Sequence, residues 1–464
     1  MPYIIDKPTA VKLCADSNDG YIKLASDTSI INSNAFADIN ELFQIEIPSN
    51  VTAIENETFA NCINLTQVSG MISVNSIKIA AFRNCKLLHT FPFCDRLKNI
   101  NDFAFYACCA LQHVTLGNGV ATLGDNAFSN CAELKMVVLG NGLSTINRGT
   151  FMACSKLESV TLGNSVETIA EDAFKNCTSL NSINIPDSVQ TIESGAFSYC
   201  ESLPNITFGS GCIGIGSFSF LGCVKLQTIA FNRAIRTIGV GAFERCTKLQ
   251  RVTFSGNHLT EISSSTFKLC ENLGDITFPD SVKTIGAFAF FACHNLKGVE
   301  FNKNLKLIGD FAFGSCDSLV TINIPDSVIT IGASAFACCN ELKNVLLGKG
   351  LRSIGDQPFA ICPLLDNAKA LFVPPKEMIA NLPDCIQVNA SLQSPGGRFR
   401  PFRWQLPFIK PLSQAERAVY NSVSLCNLRS HVNPYLVQLP DELLDHIMTF
   451  LSEHSILAID KARE

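Results

Sequence analysis

Charge is scarce in this chain of 464 residues: only 17% are Asp, Glu, Lys or Arg, and the net charge is −5. Nucleic-acid binding needs a basic footprint to neutralise phosphates, and none is present. No run of about 18 apolar residues occurs, so no membrane-spanning helix is expected. The opening Met1 to Pro8 has no basic stretch followed by an apolar run, so no secretory leader is expected there. The simplest expectation is an intracellular, cytoplasmic protein; the alternative is the cell surface, reached by non-classical export. The catalytic and nucleotide-binding patterns H-E-x-x-H, G-x-S-x-G and G-x-x-x-x-G-K-[ST] are missing, and the seven histidines are scattered. No catalytic residue, metal or cofactor is therefore expected, and the chain is not expected to be an enzyme. Disorder is not expected either, since 47% of residues are hydrophobic.

What is abundant is phenylalanine and cysteine, 33 and 21 residues. Both are periodic. Phenylalanine recurs every 23 residues from Phe36 to Phe243, and after one inserted residue the series resumes from Phe267 to Phe359, making 15 in register. Six residues after each comes a leucine, from Leu42 to Leu365. Three residues after each comes a cysteine, from Cys62 to Cys362; only the first unit differs, with Ile39. The unit reads F-x-x-C-x-x-L-x-x-[VI]-x-[LIF]-x-x-x-[VL]-x-x-I. No C-x-x-C occurs, and a spacing of 23 matches no zinc signature. The cysteine column is therefore read as a small apolar position inside each coil. A serine at Cys177 is expected to leave its hydroxyl poorly paired.

A fixed period of this length is the mark of a solenoid. In Leu180 to Ile185 the apolar residues alternate as in a strand, and Pro186 or a glycine then turns the chain. The stretch through Ala173, Phe174 and Cys177 is expected to return along the back as a short helix or 3₁₀ turn. One coil cannot bury its own apolar face, but stacked coils bury a continuous core. Fourteen or fifteen coils at about 4.8 Å each give a strand-lined arc on the order of 70 Å. Gly209-Ser210-Gly211 and Gly214-Ile215-Gly216 are read as turn glycines and not as a phosphate loop.

The unit closely resembles the BspA-like leucine-rich-repeat family, as in Ser165-Val166-Glu167-Thr168-Ile169, Asp172-Ala173-Phe174 and Asn176-Cys177-Thr178-Ser179-Leu180. The resemblance implies a right-handed, β-rich α/β horseshoe with one parallel sheet, a binding surface and no catalytic residues. Many relatives are surface adhesins, which gives the alternative function. The expected organisation is an N-terminal cap (1–28), the solenoid (29–365), a C-terminal cap and linker (366–411) and a helical segment (412–464).

Outward strand residues are expected to form the recognition surface for a protein ligand. The candidates are His113, Thr115, Met136, Glu158, Thr161, Asn184, Thr207, Arg251 and Thr253. They are mostly small or uncharged, and threonine ladders also suit sheets for structural reasons.

The segment from Leu439 to Leu451 carries a second set of candidates. Pro440 suits a first helical turn, and Asp441 and Glu442 suit the positive end of the helix dipole. Leu443, Leu444, Ile447, Phe450 and Leu451 make one apolar stripe. This resembles the opening of an F-box, which implies docking to the Skp-type adaptor of a cullin-RING ubiquitin ligase. Packing against the chain's own neighbouring helix is the alternative fate of such a stripe. The chain is expected to be monomeric.

Overall fold

The computed structural model describes residues 3–365, and the backbone of 367–370 and 386–388. The candidates from Leu439 to Leu451 lie outside the described residues. Those described form a parallel β-solenoid of stacked coils, as the period predicts, with very little helix.

Each coil contributes to two parallel ladders. One is made of strands of mostly three or four residues, such as Met136–Val138, whose residues pair in register with His113–Thr115 on one side and Ser159–Thr161 on the other. The second is made of two-residue strands, in most of which an exposed or half-buried residue precedes a buried isoleucine, as in Thr168–Ile169 against Thr191–Ile192. This second ladder adds to the single sheet expected from the sequence. The first ladder continues past Leu365: Asn367–Ala370 pairs with Asn344–Leu347, and Ile386–Val388 pairs with Asn367–Ala370.

The return segment is neither α-helix nor 3₁₀, contrary to expectation. Alternate backbone N–H groups leave the coil and reach the next one, while those between them bond three residues back in the same coil. Phe174 N–H donates to the Ala196 carbonyl and Asn176 N–H to that of Ser198, each at 2.8 Å. A helix would turn those groups along its own axis. Two residues per coil adopt left-handed backbone to allow this, Asp172 (φ 55°) and Asn176 (φ 61°) in the Phe174 coil. Successive L-residues in a right-handed helix exclude such values. Among the described residues α-helix is confined to the N-terminal end, where Lys7–Asp16 is capped by the Asp6 side chain accepting Thr9 N–H at 3.0 Å. A 3₁₀ turn at Met71–Ser73 is the other helical element among the described residues.

The phenylalanines form one continuous stack from Phe36 to Phe359. Successive ring centroids are 5.0–5.7 Å apart and the ring planes differ by 2–19°. All fifteen are buried. Truncating a buried phenylalanine typically costs about 3–5 kcal/mol.

The cysteine column is buried except for its last member, Cys362, and carries a polar contact that the sequence reading missed. Each column thiol, from Cys62 to Cys362, donates to the carbonyl of the phenylalanine one coil back, at 3.0–3.3 Å. Cys177 Sγ thus reaches the Phe151 carbonyl at 3.2 Å. A serine there would have the same acceptor, so the expectation of a poorly paired hydroxyl is corrected. Burial pushes the Cys223 thiol up to about 12 and the Cys177 thiol well above its ordinary value. Metal binding and alkylation both need the thiolate. Among the described residues, no three His, Cys, Asp or Glu side chains converge as a metal site would require.

Near the C-terminal end, one charge ladder crosses the coils. His294 Nδ1 lies 2.8 Å from Asp317 Oδ2, and Asn340 donates to the other oxygen of Asp317 at 2.8 Å. The Asp317 hydrogen bond, reinforced by the charges of Asp317 and Glu271, raises the His294 pKa against the opposing effect of burial.

Two predictions follow from the core and this ladder. Cys177→Ala, which removes both the sulfur and its hydrogen bond, lowers stability by about 1–2 kcal/mol in denaturant titration, and Cys177→Ser costs less. An equal or larger loss for serine would contradict the carbonyl contact. The raised folded-state pKa of His294 makes its contribution complete below about pH 6.5, the unfolded value, and lost as pH rises through the folded one. His294→Gln should therefore lower the melting temperature at pH 5.5 and leave it unchanged at pH 9.

Candidate functional surface

The strand positions that face away from the core are set by the two-residue alternation. In His113–Thr115 the middle residue Val114 is buried and both flanking residues are exposed. The same holds for Asn205–Thr207 around Ile206. All nine strand-face candidates, His113, Thr115, Met136, Glu158, Thr161, Asn184, Thr207, Arg251 and Thr253, are exposed.

The structure gathers them into two groups. His113 sits beside Met136, and Thr115, Val138 and Thr161 follow in one column. Glu158 immediately precedes this sheet's Ser159–Thr161 strand, and its carbonyl accepts Asn181 N–H at 3.0 Å. Thr207, Ala230 and Thr253 form the corresponding column of the next sheet, with Arg251 two residues before Thr253 and beside Thr228. Asn184 lies just past the Ser182–Ile183 strand.

Between the two groups the ladder is broken. Ser182–Ile183 is the last strand of one sheet and Asn205–Thr207 the first of the next. Pro204 stands at this seam. It occupies the position at which Asn181, one coil back, donates its N–H to the preceding coil, and proline has no N–H to give. A shallow groove of about 390 Å³ runs along the seam, lined by Asn164, Asn184, Ile185, Pro186, Asp187, Ser188, Thr207, Phe208 and Gly209. Two of the sequence candidates, Asn184 and Thr207, are therefore groove residues. Asn164, Asp187 and Ser188 also line it and were not among the candidates.

The polar groups at the groove are partly committed to the fold. Asp187 Oδ1 accepts Ser210 N–H at 2.7 Å, and Ser188 Oγ donates to the Val166 carbonyl at 2.7 Å. The hydrogen bonds from Ser210, its backbone N–H first and then its side chain, hold the Asp187 carboxyl below the usual carboxylate range. The Asp187 carboxylate is exposed on the rim, and the Asn184 amide and Thr207 hydroxyl stand outward. Such a surface offers hydrogen-bond donors and acceptors at strand spacing. It holds no base and nucleophile in contact.

A second interruption lies at Phe91, Pro92 and Phe93, where the first ladder has no strand. Phe91 turns inward and packs edge-on against Phe82 and Phe105, at 5.0 and 4.8 Å. Among the described residues, no helix is long and apolar enough to cross a membrane.

Comparison with known proteins places this architecture. The model for the BspA type leucine rich repeat region matches in six copies, over residues 13–135, 53–181, 167–273 and 260–370. A leucine-rich repeat protein from Bacteroides ovatus is 27% identical, over 80% of this chain and 91% of that one, with a TM-score of 0.65. A leucine-rich repeat protein from Eubacterium ventriosum is 24% identical, over 64% and 82% of the two chains, with a TM-score of 0.45. A leucine rich cell surface protein from Faecalibacterium prausnitzii is 22% identical, over 79% and 90%, with a TM-score of 0.35. No curated protein matches the chain. The match over most of the sequence, together with the stacked parallel coils, shows that the chain belongs to the family of BspA-type leucine-rich repeat proteins.

Proposed function

We propose that the protein is a non-catalytic scaffold that binds another protein on its strand face, centred on the seam between Asn184 and Thr207. The observation that carries this reading is the division of labour along each strand. The buried residues, such as Val160 and Ile206, fill the core, while Thr161 and Thr207 are exposed. Side chains held outward at fixed spacing on a rigid sheet are pre-organised for binding, which lowers the entropic cost of association. An intracellular location is part of this proposal, with the bacterial-adhesin alternative distinguished by labelling the surface of intact cells.

The sharper reading makes the chain a substrate receptor of a cullin-RING ubiquitin ligase. Its support is the sequence from Leu439 to Leu451 alone.

One pulldown tests both readings. Three baits are compared in a eukaryotic lysate: the full chain, a Thr161→Arg/Thr207→Arg variant, and a Leu443→Asp/Ile447→Asp variant. The strand-face variant should keep its melting temperature, since exposed substitutions change stability by only about 0.5 kcal/mol. It should lose the protein ligand by about tenfold or more in affinity. Identical captures by the full chain and this variant would refute the strand-face proposal. Recovery of a Skp-type adaptor and cullin by the full chain, lost with Leu443→Asp/Ile447→Asp, would support the ligase reading; no adaptor from any bait would refute it.

A further inference from the structure

The chain enters the second ladder at a corner, and the corner residues form a column of their own. From Thr260 onward that column is bonded in series. Lys283 N–H donates to the Thr260 carbonyl, Lys306 N–H to that of Lys283, Ile329 N–H to that of Lys306 and Arg352 N–H to that of Ile329, at 2.8–2.9 Å. All five residues are exposed. Lys283, Lys306 and Arg352 thus set three cations in one row, on coils about 4.8 Å apart.

The fold does not balance this charge. Among the described residues, Lys283, Lys306 and Arg352 form no ion pair. The column three residues earlier alternates in sign: Lys303 pairs with Asp280 at 3.7 Å, and Asp326 accepts Lys349 N–H at 2.7 Å. The adjoining ladder column holds one acid, Glu261, which stands beside Thr284 and forms no ion pair either. The corner column from Thr260 to Arg352 holds none, in a chain whose net charge is −5. Lys283 and Lys306 are direct neighbours, and like charges side by side on adjacent strands work against a sheet. The row is therefore a cost to the fold, not a contribution.

Two apolar side chains are set among the cations. Ile329 stands in the column itself, between Lys306 and Arg352, and is 39% exposed. Leu307 follows Lys306 in the chain, lies between Thr284 and Thr330 in the adjoining ladder column, and is 36% exposed. This mixture decides the class of partner. Lys283 to Arg352 is three coil steps, about 14 Å. A DNA duplex would bring about eight phosphate charges to that length. Three cations cannot neutralise them, and Ile329 and Leu307 would gain nothing. An extended peptide at about 3.3 Å per residue spans the row with four or five residues. It can offer carboxylates to the cations and apolar side chains to Ile329 and Leu307.

We propose that the corner column from Lys283 to Arg352 is a second docking site, separate from the strand face, that receives an acidic segment of a partner protein with an aliphatic or aromatic side chain among its carboxylates. The carboxylates pair with Lys283, Lys306 and Arg352, and the apolar side chain covers Ile329 and Leu307. Complementary charge of this kind steers the encounter and fixes the register of the partner along the coils.

The test measures binding of labelled peptides to the full chain by fluorescence polarisation at low salt. One peptide alternates glutamate with leucine, a second is all glutamate, and both are about eight residues long, enough to span the row. The glutamate–leucine peptide should bind the more tightly of the two. Lys283→Gln/Lys306→Gln should weaken it about tenfold, the loss of two exposed charge pairs. Ile329→Ser should weaken it about threefold and leave the all-glutamate peptide unchanged. Lys12→Gln/Lys135→Gln removes the same charge elsewhere, with Lys135 next to the strand face, and should bind like the original; this separates the site from the proposed function. Lys283→Gln/Lys306→Gln relieves a like-charge contact, so its melting temperature should be unchanged or higher. Absence of binding, or equal losses in the two double variants, would overturn the proposal. Equally tight binding of the all-glutamate peptide would overturn it too, by assigning the row to polyanions in general. So would a dimer in sedimentation that Lys283→Gln/Lys306→Gln dissociates, since a second copy of the chain would then be the occupant.

Discussion

A coil of about 23 residues is too small to bury its own apolar side chains, and the structure depends on the way neighbouring coils cover one another. Phe174 lies between Phe151 and Phe197, with centroids 5.4 and 5.3 Å away. The ring positions require every coil to keep the same register. That register also aligns the backbone, so the two strand ladders and the return segment all bond from coil to coil. Stability in such an array is close to a sum over coils and their interfaces. The one inserted residue before Phe267 is therefore confined to the loop between Phe254 and Leu259, where no column is displaced.

The same stacking explains the cysteines. The return segment leaves each phenylalanine carbonyl facing the coil that follows. A thiol placed three residues after the next phenylalanine meets it, as Cys200 Sγ meets the Phe174 carbonyl at 3.2 Å. The column satisfies a carbonyl acceptor while remaining small and largely apolar, and burial keeps thiols such as Cys200 protonated. This removes any need to assign the cysteines to metals or disulfides.

With the core filled by repeating positions, individuality lies where the repeat is interrupted. The first ladder breaks between Ser182–Ile183 and Asn205–Thr207, and Asn184 and Thr207 line a groove there. A repeat protein acquires specific surfaces in this way without disturbing the stack, because each departure affects only its nearest neighbours.

The sequence by itself determined the solenoid, its register, the buried phenylalanine, leucine and cysteine columns, and the outward placement of residues such as Thr161 and Thr207. These follow from a period repeated so often that only one arrangement buries every apolar position. Tertiary structure decided the rest. The sequence of the return segment is compatible with a short helix or 3₁₀ turn; only the neighbouring coil supplies the carbonyls that draw alternate N–H groups outward. The thiol–carbonyl contact and the groove at the seam each join residues more than twenty positions apart in the chain. A periodic pattern shows that such residues share a column, but the hydrogen bonds and empty space between them exist only once the coils are stacked.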